Sequence, residues 1–555
     1  MMYKFSALSS IIFGLLLSLS VTDLQAEFFH DVTDELAINF QHRDDRDGQY
    51  QFTETSGSGT AWLDFDADGD LDLLFLNGSN NRPDSGQATS HVLYEQHNQR
   101  FKPTTLQSGI LNTSKAMGVC AADVNDDRLV DLYITHYGQD YLYLSQSGSK
   151  RTSIFKAVII DTDPAKNQWS TSCAFGDVDN DGDLDLYVTR YVEYTMNGNS
   201  DCVTTATSGY CNPLAYQGQQ DALFINNGLG SFTEESLQRG ILNTRQDRGY
   251  GVVMTDYDHD QDLDIYVAND GSQNRLYVNN GQGTFTDQGL MSGTALNRSG
   301  RPEAGMGIAL GDVNNDGYPD FLVTHFSMES NTLYINQKNG FFSDATNQYG
   351  LFKPSYSLVG WGTLFSDVNN DGFEDLIIVN GNLDDQFTNA LNPEISYAQP
   401  NQIMLNQAGQ RFNILPVSRA FGSGPHRSSR GLAMGDFNND GLADLSINNV
   451  NDRAQIYTNK HKTNNNWLGV SLVGPASNHY AIGAKVIITT NDLRLQKEVV
   501  SGGSFLSQSD FRLIFGLQQS GDSVKLSVIW PDGKQSNHFM ESLNRYHEIH
   551  YPRQH

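Results

Sequence analysis

Seven times along the chain, Asp or Asn occupies positions 1, 3, 5 and 9 of a nine-residue run. The runs begin at Asp64 (DFDADGDLD), Asp123 (DVNDDRLVD), Asp177 (DVDNDGDLD), Asp256 (DYDHDQDLD), Asp312 (DVNNDGYPD), Asp367 (DVNNDGFED) and Asp436 (DFNNDGLAD). Oxygen side chains at alternate positions of a tight loop suit a hard cation such as calcium, which takes six to eight oxygens at about 2.3–2.6 Å. The expected ligands are Asp64, Asp66, Asp68 and Asp72 in loop 1; Asp123, Asn125, Asp127 and Asp131 in loop 2; and Asp177, Asp179, Asp181 and Asp185 in loop 3. They continue with Asp256, Asp258, Asp260 and Asp264 in loop 4 and Asp312, Asn314, Asp316 and Asp320 in loop 5. Loop 6 offers Asp367, Asn369, Asp371 and Asp375, and loop 7 offers Asp436, Asn438, Asp440 and Asp444. Position 7 can add a backbone carbonyl, and Gly at position 6 permits the turn. These are features of an EF-hand loop, except that no bidentate Glu stands at position 12 and no helices flank the loop. Asx-turns without metal are the alternative, but they leave three or four carboxylates repelling one another. Up to seven structural calcium ions are therefore expected.

The loops are unequal. Loops 1 and 3 have four Asp and the Gly, and should bind best. Loop 2 has Arg128 in place of Gly, which strains the backbone if φ must be positive, and only three acids. It should bind least. Loop 4 has Gln261 at that place but keeps four Asp.

Elements must hold these loops in register. The motifs are spaced by 59, 54, 79, 56, 55 and 69 residues. A small apolar run precedes each one and a β-rich run follows. Then comes a third strand of the type Leu-Tyr-x-Asn (Leu276-Tyr277, Leu333-Tyr334) and a fourth beginning with Phe. Four short strands joined by turns make a propeller blade. The Phe-led strand recurs at Phe29, Phe101, Phe155, Phe232, Phe285, Phe342 and Phe412, so its first copy precedes every acidic loop and the last repeat lacks one. The expected fold is all-β: a seven-bladed β-propeller closed by the N-terminal strand, with an open solenoid as the alternative. Residues 27–463 would form it. Residues 464–555 read as about seven short alternating strands, a small β-sandwich or barrel. Its Ser501–Ser509 run suggests a bulged turn or a ligand loop.

Five residues fall at roughly equivalent places at the entry to first strands: Trp169, Arg248, Arg301, Trp361 and Arg430. If those loops line one mouth of the channel, they form a cationic, aromatic ring suited to an anionic or carbohydrate-like ligand; loop packing is the alternative. His136 and His325 end second strands; convergence near the ring axis to bind a ligand or metal is one reading, and plain surface positions the favoured one. Of the four Cys, Cys202 and Cys211 lie close together in a polar loop and are expected to pair. Cys120 and Cys173 sit in consecutive first strands with opposite facing. They read equally as a disulfide between blades or as two buried thiols.

Composition narrows the function. The net charge of −29 excludes nucleic acid as a partner. Residues 1–26 have the positive start, short apolar core and small residue (Ala26) of a secretory signal peptide. No other stretch is long enough to span a membrane. A secreted, periplasmic or cell-surface monomer is expected.

The repeats resemble FG-GAP (VCBS) repeats of integrin α-chain propellers and bacterial surface proteins. The C-terminal segments Trp467-Leu468-Gly469-Val470, Ala481-Ile482-Gly483-Ala484, Phe515-Gly516-Leu517 and Trp530-Pro531-Asp532-Gly533 resemble the ASPIC/UnbV domain, found after such repeats in the cartilage acidic protein family. That resemblance implies a secreted calcium-binding propeller. No G-x-S-x-G, H-E-x-x-H or Walker motif occurs. The leading expectation is a module that binds an extracellular or cell-surface protein or glycan, with calcium holding the scaffold. The alternatives are a hydrolase or lyase working at the channel mouth, and a structural matrix component.

Overall fold

A computed structural model describes residues 27–552 apart from 45, 47, 49, 79–90, 105–107, 111–113, 147–154, 162–167, 197–209, 243–244, 384–395 and 521–523. The expected signal segment 1–26 and Cys202, hence the Cys202–Cys211 pairing, lie outside these residues. No helix among the described residues is long and apolar enough to cross a membrane.

Each acidic loop joins the first two strands of an antiparallel four-stranded sheet. In repeat 4 the strands are Gly249–Thr255, Asp264–Asn269, Arg275–Asn279 and Phe285–Asp287, paired in sequence order. First and second strands are buried along nearly their whole length, because both faces of each sheet are covered by neighbouring sheets. The last sheet takes its outer strand from the other end of the chain: Phe29–Asp31 pairs antiparallel with Gln455–Asn459, Phe29 opposite Asn459. The first strands pack side by side from Thr60–Leu63 through each repeat in turn to Ser429–Gly435, which returns to Thr60–Leu63. The architecture is a β-propeller.

Two recurring residues set the spacing of the sheets. Gly stands five residues before the loop in six repeats (Gly59, Gly118, Gly251, Gly307, Gly362, Gly431), and Ser172 stands there in repeat 3. A Cβ at these glycines would overlap backbone: at Gly118 the Thr171 carbonyl, at Gly362 the Arg430 carbonyl, at Gly431 the Ser58 carbonyl of repeat 1. Gly is thus required where the inner strands converge. The second residue is the Asn that ends the third strand. The Nδ2 of Asn226, Asn279, Asn336, Asn406 and Asn459 donates to the carbonyl at loop position 2 of the preceding repeat (Val124, Val178, Tyr257, Val313, Val368) at 2.7–3.0 Å. Gln96 takes this place in repeat 1 and reaches the Phe437 carbonyl of repeat 7 at 3.2 Å. A disulfide joins Cys120 and Cys173 across repeats 2 and 3, which settles that pair.

Beyond residue 466 the chain forms two more sheets. Trp467–Val473 lies between Leu513–Gly516 and Tyr546–His550; Lys485–Thr489, Arg494–Glu498, Val524–Ile529 and Gln535–Met540 form the other. Their core, including Val486, Leu526 and Leu468, runs without a break into that of repeats 2 and 3 at Val124, Phe175 and Leu186. These sheets cover the end of the propeller that carries the acidic loops.

The Ser501–Ser509 run is neither a surface turn nor a free loop. It enters the channel between the inner strands and is hydrogen-bonded to them on nearly every side. Ile308 N–H donates to Ser504 O at 2.8 Å, Val119 N–H to Leu506 O at 3.2 Å and Trp62 N–H to Gln508 O at 3.1 Å. The Ser501 hydroxyl donates to Ala121 O at 2.7 Å, and the Ser504 and Ser509 hydroxyls accept from Thr363 N–H and Met434 N–H. The Ser172 hydroxyl accepts from Leu506 N–H, and the Phe505 ring meets Tyr250. Every repeat touches this plug.

Candidate functional site: the acidic loops and the filled channel

Each loop is a folded-back turn organised by its first Asp. In six loops the position-5 N–H donates to Oδ1 and the position-6 N–H to Oδ2, as at Asp64 (3.0 and 3.0 Å) and Asp312 (2.9 and 2.7 Å); in loop 3 only the position-6 bond, Gly182 N–H to Asp177 Oδ2 at 3.0 Å, is made. The ninth carboxylate ties the loop to the sheet. In loop 1, Asp72 accepts from Phe65 N–H at 3.0 Å and Gln96 N–H at 2.7 Å. Asp131, Asp185, Asp320 and Asp375 make the same pair of bonds. Position 9 is thus a structural anchor as well as a potential ligand, a role not read from the sequence.

Position 6 has positive φ in all seven loops, including Arg128 (66°) and Gln261 (77°). A non-Gly residue there costs about 1–2 kcal/mol, against roughly 0.5–1 kcal/mol for the extra freedom Gly loses on folding. Arg128→Gly is therefore expected to stabilise the protein by up to about 1 kcal/mol, read as a higher urea midpoint at unchanged slope.

Position 3 divides the loops. Where it is Asn, the side-chain carbonyl turns inward and accepts the position-5 N–H, at Asn125, Asn314, Asn369 and Asn438. Where it is Asp, carboxylates converge. Ligand oxygens of Asp64, Asp66 and Asp72, of Asp177, Asp179 and Asp185, and of Asp256, Asp258 and Asp260 lie within 4.8 Å of one another. In these loops Asp66 Oδ1, Asp177 Oδ1, Asp179 Oδ1, Asp258 Oδ1 and Asp264 Oδ2 are buried without a hydrogen-bond partner. Burial, with like charges alongside, pushes the carboxyls of Asp64, Asp66 and Asp258 up to about 6 and that of Asp177 to about 7. Buried carboxylate oxygens without donors are a deficit that a hard cation would meet. Calcium would be held by positions 1, 3 and 9 in loops 1 and 3, and by positions 1, 3 and 5 in loop 4.

The ring expected at the channel mouth does not form. Trp169, Trp361 and Arg430 are buried, packed beneath the tip of the plug, with Phe505 5.0 Å from the Trp361 ring. The Arg430 guanidinium lies 4.0 Å from the centre of the Trp361 ring and donates to the carbonyls of Thr55, Gly381, Asn382 and Ser429. Carbonyl dipoles and an aromatic face hold its charge inside the protein, away from a ligand surface. Arg248 is also committed, to the carbonyls of Pro213, Gln246 and Tyr216. Only Arg301 is exposed. The two histidines expected at the surface are buried: His136 is 0 % and His325 1 % exposed. The second strands end under loops that fold back over them, as Ser330 does in accepting from His325 Nδ1 at 2.8 Å.

Arg301 borders a groove of about 270 Å³ with Glu303, Met328, Phe352 and Tyr356, at the end of the propeller away from the acidic loops. Met328 is 68 % and Phe352 45 % exposed, and the Phe352 and Tyr356 rings stack at 5.3 Å.

Comparison with known proteins gives two family matches. The family described as FG-GAP-like repeat matches residues 64–134, 123–188, 256–323, 312–378 and 367–447, and that described as ASPIC and UnbV matches 474–555. Cartilage acidic protein 1 of Xenopus tropicalis is 24% identical over 502 residues, 86% of this chain and 70% of that one. The Homo sapiens protein of that name is 24% identical over 525 residues, 89% and 72% respectively. Among solved structures, an Agrocybe aegerita lectin recognising non-reducing terminal N-acetylglucosamine aligns over 83% of this chain and 99% of its own, with 14% identity and a TM-score of 0.39. YCF48 bound to D1 peptide aligns over 76% and 98%, with 8% identity and a TM-score of 0.40.

Proposed function

We propose that this chain, which belongs to the FG-GAP-like repeat proteins carrying an ASPIC and UnbV domain, is an exported recognition module built on a seven-bladed, calcium-loaded propeller. Seven four-stranded sheets, the return of the last first strand to the first, and the Gln96–Phe437 bond support the closed ring of seven. The unpartnered carboxylate oxygens of loops 1, 3 and 4 support calcium. The signal-like 1–26 and the Cys120–Cys173 disulfide support export to an oxidising compartment. A channel filled by the chain's own residues weighs against an enzyme working from its mouth.

The observation that carries recognition is the Arg301 groove. It sets exposed apolar and aromatic side chains among two guanidiniums (Arg298, Arg301) and three carboxylates (Glu303, Glu329, Asp344), on the face the C-terminal sheets leave open. Such a combination of aromatic, apolar and mixed-charge groups suits an extracellular protein or glycan. Capture from the native extracellular fraction and on a glycan array, with wild type against Arg301→Ala/Tyr356→Ala, tests it. Binding is expected to fall about tenfold or more, the loss typical of a hot-spot pair. Equal binding by both proteins would sink the assignment.

A further inference from the structure

Loop 4 differs from the other six in its first residue. Lys485, on the C-terminal strand Lys485–Thr489, sets its ammonium 2.7 Å from Asp256 Oδ2 and 3.0 Å from Asp256 O. Both side chains are nearly buried, at 7 % and 10 % exposure. Among the described residues no other position-1 carboxylate of the seven is in a salt bridge; Arg239 reaches position 3 of loop 3, and Lys338 position 5 of loop 5. The rest of loop 4 has the features of a cation site. Its first three carboxylates converge, Asp258 Oδ1 lacks a partner, and so does Asp264 Oδ2 on a side chain that is 1 % exposed.

We infer that Lys485 is the resident cation of loop 4: it neutralises Asp256 from the C-terminal domain, holds the loop's affinity for added calcium below that of loops 1 and 3, and makes loop 4 a calcium-sensitive latch between the two domains. The inference rests on the reading that these loops take calcium. An ammonium on one oxygen of Asp256 lies within a few ångströms of any ion bound by the other. The two cations repel strongly at that range, and burial limits screening by salt. The antagonism is reciprocal, so an ion entering loop 4 weakens the hold of Lys485 by the same factor. Of the neighbouring groups, Glu498 accepts from the Thr255 hydroxyl through Oε2 at 2.6 Å and keeps a buried Oε1 without a hydrogen-bond partner, which offers a displaced Lys485 ammonium a second carboxylate.

Calcium titration of the full chain by calorimetry, with terbium luminescence as a second readout, compares wild type with Lys485→Met. Lys485→Met is expected to raise affinity at one site by roughly tenfold or more, and Lys485→Arg to behave as wild type. Adding Asp258→Asn to Lys485→Met should abolish the gain, which assigns it to loop 4. Wild type alone supplies an independent measurement if Lys485→Met fails to fold. Amide exchange in Lys485–Thr489 should quicken several-fold only at calcium above that filling loops 1 and 3. Equal affinities in wild type and Lys485→Met, or a wild-type loop 4 that fills together with loops 1 and 3 without moving that strand, would overturn the latch and leave calcium in the loops standing. Absence of binding in every loop of both proteins would overturn the calcium reading itself.

Discussion

Removing divalent cations with EDTA is expected to lower the melting temperature by roughly 5–10 °C, with recovery in calcium but not in equimolar magnesium. The magnitude follows from mass action. An ion present at about 100 times its dissociation constant stabilises the folded state by about 2.7 kcal/mol. Loops 1 and 3 have the strongest claim to ions, because Asp66 Oδ1, Asp177 Oδ1 and Asp179 Oδ1 have no hydrogen-bond partner and, among the described residues, no side-chain cation pairs with their first Asp, as Lys485 does in loop 4. Two or three filled sites then contribute roughly 5–8 kcal/mol. For a chain of this length the unfolding entropy converts 1 kcal/mol to about 1 °C. Magnesium substitutes poorly because it demands near-octahedral ligands at about 2.0–2.1 Å. The loops instead present oxygens on a backbone already fixed by the turn bonds to position 1. Without an ion, several buried carboxylates face one another unpaired, and either repulsion or protonation must relieve them. A melting curve indifferent to EDTA in protein verified as metal-free would rule out calcium as a scaffold element.

The sequence made the repeats, the loops and the ring-closing strand legible because each rests on local chemistry. An alternation of oxygens, a Gly at a turn and a Phe-led strand are all visible within nine residues. The shift between the Phe-led strands and the loops carried one long-range fact, the pairing of Phe29–Asp31 with Gln455–Asn459. What stayed hidden depends on contacts between distant segments. The Leu-Tyr-x-Asn strand was visible as a pattern, yet its Asn acts on a carbonyl of the previous repeat, about 80 to 100 residues away in sequence. The Gly five residues before six of the seven loops is nearly as regular, and its meaning, close approach of inner strands, needs the ring. Trp361 and Arg430 share one position, six residues before their loops, while Trp169 stands eight before its own; the local pattern points all three at a ligand surface, and the structure buries them. Equivalent positions in a ring do converge on its axis, but here the chain itself fills the axis. Nothing in the local pattern of Ser501–Ser509 told a plug from a bulged turn.

That plug carries the other large effect. Phe505→Ala is expected to destabilise the protein by about 3–5 kcal/mol and Leu506→Ala by about 2–5 kcal/mol, the range for large side chains removed from sites that cannot collapse. Both side chains are 0 % exposed. The walls around them are inner strands already in backbone contact with each other, since a Cβ at Gly251, Gly307 or Gly362 would overlap a neighbouring carbonyl. They cannot close further on a cavity. Phe539→Ala, in the same domain but at a residue 72 % exposed, is expected to stay within about 0.5 kcal/mol and serves as the control. The distinctive consequence is spatial. Leu506 O and Ser504 O accept amides from repeats 2 and 5, on different sides of the channel. Withdrawing the tip should therefore speed amide exchange at Val119 and Ile308 together, whereas an ordinary core defect loosens one blade and its neighbours. Exchange confined to one repeat, or a Phe505→Ala cost no larger than that of Phe539→Ala, would show that the segment fills the channel without bracing it. The double substitution should cost less than the sum of the two singles, because the side chains share one cavity.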